Sequence, residues 1–212
     1  LSFAGQQDTF LNVVGDKALQ EAVVKCWSSL WTARAIGYRT RNQIAHDGLA
    51  LAVVVQEMVQ SEASGVLFTA NPLDGKRTEI VIEATLGLGE ALVSGLVEPD
   101  HYCVDAASGE ILIKTLGSKA LAIRSREGGG TVRVDDDASI RQALPDGVIV
   151  ELARLGRDVA AFLGGPQDVE WAWAGGHLHL LQARPITSLF PLPADVDPDP
   201  LLVMFSFAAV QG

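Results

Sequence analysis

Residues 168–185 hold the densest set of side chains able to do chemistry: Asp168 and Glu170 before a Gly175-Gly176 pair, Gln182 and Arg184 after it. Alternate residues of a strand share a face, so Asp168 points with Glu170 and Gln182 with Arg184. Whether the two pairs converge depends on the parity of the turn. A two-residue turn at Gly175-Gly176 opposes Asp168 to Ala183 and sends Glu170 and Gln182 to opposite faces. A three-residue loop, Ala174-Gly175-Gly176, opposes Asp168 to Gln182 and gathers all four groups, with Gly176 free to turn left-handed. In that register two carboxylates and an amide lie beside a guanidinium fork, which is what a Mg²⁺–polyphosphate needs. An exposed strand face with a salt bridge uses the same residue types.

Two further segments could touch a nucleotide. In Ser2-Phe3-Ala4-Gly5-Gln6-Gln7-Asp8-Thr9, a small glycine-containing loop lets backbone N–H groups approach a phosphate, and Thr9 adds a hydroxyl. Gln56-Glu57-Met58-Val59 closes an apolar run and could line an adenine slot, although a core strand reads the same way. Gly87-Leu88-Gly89-Glu90 lacks the third glycine and the βαβ context of a dinucleotide fingerprint, so that fold is rejected. His177 and His179 alternate without a third metal ligand, and His46 and His101 stand isolated in sequence. No nucleophile is paired with a base, and Cys26 falls on an apolar helical stripe that reads as core.

The elements that must position these groups follow from periodicity. Asp16 is read as the cap of one helix over 17–43, with Leu19, Val23, Cys26, Trp27, Leu30 and Trp31 on its apolar stripe and Arg34, Arg39 and Arg41 solvated near its end. Strands are expected at 51–59, 65–69 and 79–83, with a turn at 71–76 and a hairpin of 102–105 with 111–114. Residues 124–137, charged and containing Gly128-Gly129-Gly130, are read as a mobile surface loop. A helix capped by Asp146 follows Pro145, with Val148, Leu152, Leu155, Val159 and Phe162 on one stripe, and strands are expected at 167–173 and 177–184.

Composition bounds the function. Forty-eight per cent hydrophobic residues over 212 exclude disorder, and no apolar run reaches the ~20 residues of a membrane span. A net charge of −10 argues against a general nucleic-acid binder. Two cysteines make no disulfide framework and fit a reduced, cytoplasmic setting. With no initiator methionine, and an apolar run at 201–207 near its end, the sequence reads as a piece: residues 1–187 one partial domain, 188–200 a Pro/Asp-rich linker, 201–212 the start of the next segment.

In order along the chain, Ser2-Phe3-Ala4-Gly5-Gln6-Gln7-Asp8-Thr9-Phe10-Leu11-Asn12, Val55-Gln56-Glu57-Met58-Val59, Ala63-Ser64-Gly65-Val66-Leu67-Phe68-Thr69, Gly87-Leu88-Gly89-Glu90, Asp168-Val169-Glu170-Trp171 and Leu181-Gln182-Ala183-Arg184-Pro185-Ile186 resemble one family. It is the nucleotide-binding domain shared by phosphoenolpyruvate synthase, pyruvate phosphate dikinase and rifampin phosphotransferase. Asp8 and the 87–95 segment tilt the likeness towards the rifampin phosphotransferase branch.

The resemblance implies an α+β, ATP-grasp-like fold, here its C-terminal portion, with a mainly antiparallel sheet, packed helices and two lobes gripping ATP. It implies that Gly5 and Thr9 contact the phosphates, that Gln56 and the backbone at Met58 meet adenine, that Glu170 and Gln182 hold Mg²⁺ and that Arg184 clamps phosphate oxygens. It thereby requires the odd loop in the last ribbon. It further implies two-step use of ATP. A phosphoryl group passes to a histidine on a separate swivelling domain and then to an acceptor (a rifamycin favoured, pyruvate the alternative), with AMP and phosphate as the other products. A nucleotide-binding module without catalysis is the reading from another class. None of the four histidines matches the carrier histidine, and a Lys and an Arg of the preceding lobe are absent.

A chain of net charge −10 can still hold a polyanion, because the Debye length of roughly 8 Å screens distant carboxylates. A charge pair at 4 Å is worth about 4 kcal/mol at an effective dielectric near 20, so local cations decide. Losing the preceding lobe's Lys and Arg removes contributions of that size. The isolated chain should therefore bind ATP more weakly than micromolar and be inactive; calorimetric titration giving micromolar or tighter binding refutes this.

Overall fold

The computed structural model describes residues 5–135 and 141–189. The expected linker at 188–200 (beyond residue 189) and the segment at 201–212 lie outside the described residues, as do 136–137 of the expected mobile loop. The chain divides into two units, Leu1–Gln60 with Ile123–Val134, and Ser61–Ala122 with Asp135–Gly212.

In the first unit the expected single helix is interrupted. α1 spans Asp16–Ser28, a 3₁₀ turn spans Ser29–Trp31 and α2 spans Ala33–Arg41. Thr32 causes the break: its backbone is extended (φ −67°, ψ 152°), and its hydroxyl accepts from Ala35 N at 3.3 Å, capping α2. Asp16 lies in the first turn of α1, and Gly15 is the capping residue. Arg39, expected to be solvated, is buried; its Nε donates to His46 Nδ1 at 3.2 Å and its guanidinium lies 5.6 Å from the Trp31 ring. Cys26 is half-buried, with Sγ 3.6 Å from Asp8 O, rather than in a core.

The expected strand at 51–59 does not form; this stretch has no regular secondary structure, and Val54 and Val55 are exposed. Its β-branched residues have the propensity, but a strand exists only with a partner, and none pairs with it among the described residues. The expected mobile loop is instead a two-stranded ribbon, β5 (Leu121–Ser125) with β6 (Thr131–Asp135). The three turn glycines, at φ 80°, 117° and 73°, close it rather than loosen it. Asn12 fixes the turn: its Nδ2 donates to Arg126 O and Gly130 O, both at 2.8 Å, and its own carbonyl accepts from Gly130 N at 2.9 Å.

The second unit is one antiparallel sheet in the order β4-β3-β2-β1-β7-β8. Its strands are β1 (Ala63–Phe68), β2 (Glu79–Leu86), β3 (Asp100–Asp105), β4 (Ile111–Thr115), β7 (Gln167–Ala174) and β8 (His177–Pro185). A single helical turn, α3 (Glu90–Val93), follows Gly87-Leu88-Gly89; the all-antiparallel pairing agrees with rejecting a dinucleotide fold.

α4 (Asp146–Leu163) covers one face of the sheet. Its buried residues are Ile149, Leu152, Ala153 and Gly156, whereas Phe162, placed on the stripe from sequence, is exposed. Gly156 seats Leu67, whose Cδ2 would be 2.6 Å from a Cβ there. These residues join Ile80, Ile82, Tyr102, Val104, Val169 and Trp171 in the core. Gly65 lies opposite Trp171, and a Cβ on it would come within 3.0 Å of the indole and 1.8 Å of Glu83 O.

One charge pair sits inside this unit. Asp100 and Lys119 are both fully buried, and Lys119 Nζ donates to Asp100 Oδ1 and to Gly117 O. Asp100 also accepts from Gly117 N (3.0 Å), Tyr102 Oη (3.0 Å) and Ala143 N (2.7 Å), which saturates its carboxylate and ties β3 to the segment before α4. Removing one partner of a buried pair strands the other charge. Lys119→Met should cost about 3–5 kcal/mol in urea unfolding, and a loss below 1 kcal/mol would refute this account of the pair.

Candidate functional site

The ribbon β7–β8 resolves the parity question in a way neither sequence register foresaw. Its turn is the two-residue one, with Ala174 opposite His177, Trp173 opposite Leu178 and Trp171 opposite Leu180. The register then shifts between Glu170 and Trp171, so that Glu170 opposes Gln182 and Asp168 opposes Arg184. Leu181 is the extra residue of this β-bulge. Were Leu181 paired regularly, the even turn would carry Gln182 and Arg184 to the helix-covered face. The requirement for an odd loop is therefore corrected: parity is changed in the middle of the strand, not at its tip. The expected opposition of Asp168 to Gln182 is corrected with it.

All four groups share the sheet face opposite α4, because directly opposed residues point the same way. Arg184 Nε donates to Asp168 Oδ2 at 2.8 Å; the aspartate side chain is 12% exposed and the arginine 40%. Asp168 Oδ1 is buried without a hydrogen bond. Glu170 is half-buried, and its carboxyl is held above the usual range, chiefly by desolvation and less by the charge of Asp168, with Arg184 opposing both. Gln182 is exposed opposite it. The arrangement is an oxygen-rich patch beside one guanidinium.

The other expected site residues lie in the first unit. Gly5 has φ 69°, a conformation suited to glycine, and begins a turn followed by the irregular stretch that holds exposed Thr9. That stretch is held by α2, since Arg34 Nη2 pairs with Asp8 Oδ1 at 2.7 Å and Arg34 Nε donates to Gln6 O at 3.4 Å. Gln56 is exposed and Met58 half-buried, both on the irregular 49–60 stretch. Cys103 is buried on β3, where desolvation and then the charge of Glu79 push its thiol up to about 11, leaving it protonated and unreactive at neutral pH.

Sequence reading missed one constellation. His101, isolated in sequence, stands directly opposite Glu83 with Nδ1 4.0 Å from Oε1. Alternation within 79–83 places Glu83 on one face of its strand, but nothing local reveals the β2–β3 register. Among the described residues no helix is long and apolar enough to cross a membrane, and no three His, Cys, Asp or Glu side chains group closely enough to hold a metal by themselves.

Residues 1–193 match the family described as the pyruvate phosphate dikinase AMP/ATP-binding domain. The chain is 48% identical over 198 residues to a rifampicin phosphotransferase of Streptomyces sviceus, covering 92% of this chain and 23% of the relative. It is 47% identical to the rifampicin phosphotransferase of Bacillus subtilis, with the same coverage. A probable phosphoenolpyruvate synthase of Methanothermobacter thermautotrophicus is 48% identical over 190 residues, 89% of this chain and 28% of that protein. The chain thus spans about a quarter of the length of the relatives it matches.

The raised carboxyl of Glu170 has a sign that can be tested. Between the ordinary carboxylate pKa and its own, the folded state binds more protons than the unfolded state, so stability falls as pH rises through that window. Glu170→Gln should melt higher than the unaltered chain at neutral pH, and the difference should vanish below about pH 4. A variant that melts lower at neutral pH would contradict this.

Proposed function

We propose, for a chain that belongs to the pyruvate phosphate dikinase AMP/ATP-binding domain family, that it is the ATP-binding portion of a dikinase-type phosphotransferase. The observation that carries the reading is the bulged ribbon, which collects Asp168, Glu170, Gln182 and Arg184 on one face. In this reading Arg184, oriented by Asp168, clamps phosphate oxygens with its remaining N–H groups. Gly5 and Thr9 contribute backbone and hydroxyl donors to the phosphates, and Gln56 with the backbone at Met58 meets the adenine. The fold is then the C-terminal portion of an ATP-grasp-like domain, working in the cytoplasm.

Mg²⁺ fits the residues present. The orphaned, buried Asp168 Oδ1 lies on the face where Glu170 and Gln182 contribute further oxygens, a hard-cation donor set. Glu170 and Gln182 would hold the ion, and two protein ligands are enough for Mg²⁺, which completes its shell with phosphates and waters. When bound, it neutralises phosphate charge. Desolvation of Glu170 costs free energy in its absence, so the carboxylate is poised to accept a cation.

The longer protein would pass a phosphoryl group from ATP, through a histidine on a separate domain, to an acceptor, releasing AMP and phosphate. The rifampicin phosphotransferase relatives favour a rifamycin as acceptor, and the synthase relatives support pyruvate as the alternative. Glu170→Ala in that longer protein should lower ATP-dependent acceptor phosphorylation by about 100-fold or more, followed as AMP release with rifampicin and with pyruvate supplied separately. Phosphorylation that survives the substitution would sink the assignment of this site.

A further inference from the structure

The face that holds Glu170 continues across the sheet. Gln182 opposes Glu170, Glu170 opposes Val66, Val66 opposes Glu83 and Glu83 opposes His101, so one row of the pleat runs from β8 to β3. Directly opposed residues share a face, so all five point away from α4. Val66, at 8% exposure, separates a carboxylate–amide pair on one side from a carboxylate–imidazole pair on the other. The Glu83 and His101 side chains are each 36% exposed, so both reach solvent. Among the described residues, His101 is the basic side chain placed within ion-pair distance of Glu83.

We propose that His101 is the general base for the water consumed in this reaction, and that Glu83 is its positioning residue. The inference rests on the function proposed above. If ATP yields AMP, one phosphorylated acceptor and one free phosphate, the balance requires a water: one phosphoryl goes to the acceptor, and the other takes its new oxygen from solvent. In the step proposed, the histidine of the separate domain has first taken the terminal diphosphoryl group of ATP, with AMP as the leaving group, and the water oxygen bonds to the terminal phosphorus of that diphosphate. The bridging P–O bond breaks, phosphate leaves, and a single phosphoryl stays on that histidine. The water proton passes to His101 Nε2.

Glu83, on the Nδ1 side at 4.0 Å, selects the tautomer with the proton on Nδ1 and offsets the charge of the imidazolium once formed. That separation exceeds a hydrogen bond, and catalytic hydrogen bonds commonly tighten only with substrate in place. Three strand spacings, about 14 Å, part the backbones of Glu170 and His101, and both side chains rise from the same face. The metal–phosphate patch and the base would thus serve opposite ends of one polyphosphate.

The test uses the longer protein with ATP in H₂¹⁸O, following a burst of AMP and the release of labelled phosphate in one experiment. His101→Asn and His101→Gln should keep ATP affinity and a burst of one AMP per enzyme, while phosphate release falls about 100-fold. Glu83→Gln should slow the same step by a smaller factor, and Glu83→Asp should restore part of it. An intact burst shows that each variant is folded and that its nucleotide site works. Unchanged phosphate release, or loss of the burst together with it, would overturn the role of His101. Unaltered protein that makes ADP, or leaves ATP untouched, would instead overturn the function on which the inference rests.

Discussion

One unpaired residue decides which side chains of the last ribbon share a face. A strand alternates its side chains with a period of two, so an even turn commits two strands to a fixed correspondence of faces. With Ala174 opposite His177, an uninterrupted β8 would turn Gln182 and Arg184 into the core beside Val169 and Leu67. The bulge at Leu181 inverts the correspondence over the distal half of the ribbon only. The proximal half keeps Leu180 opposite Trp171 and Leu178 opposite Trp173, and Trp171 is fully buried. Two incompatible demands, an apolar face near the turn and a polar one farther out, are met in one strand by a change of phase.

That change of phase rests on the core beneath it. Trp171 fits because Gly65 offers no side chain opposite it, and α4 lies close to β1 because Gly156 leaves space for Leu67. Large-against-small contacts of this kind are specific, since a single added methyl group meets backbone or a packed ring. The buried Asp100–Lys119 pair then fastens β3 to the segment before α4, with each oxygen of Asp100 accepting two donors. The polar row on the other face therefore stands on a rigid base.

How much of this the sequence discloses varies with the range of the interactions. The strands of the second unit were legible because alternation and Gly/Asn/Pro turns are local, as at 71–76 and in the 102–114 hairpin. The convergence of Asp168, Glu170, Gln182 and Arg184 was legible as one of two outcomes, but its cause was not, because a bulge is a property of the pairing between two strands and carries no residue signature of its own here. The helix break at Thr32 hides in a continuous apolar period, since a capping hydroxyl does not disturb that period. The strand expected at 51–59 shows the limit of propensity without a partner. The His101–Glu83 pair depends on the register between β2 and β3, beyond the reach of local pattern.

The Asn12 clasp carries a consequence for how the chain matures. It joins positions 118 residues apart, and the first unit is discontinuous, with the early residues completed by Ile123–Val134. On a ribosome, the opening sixty residues must wait while the four strands β1 to β4 are made. Closing so long a loop carries an entropic penalty that grows only slowly with its length. The delay, rather than that penalty, is then the hazard: the amide and carbonyl of Asn12 stay unpaired with the 126–130 turn until the late ribbon arrives.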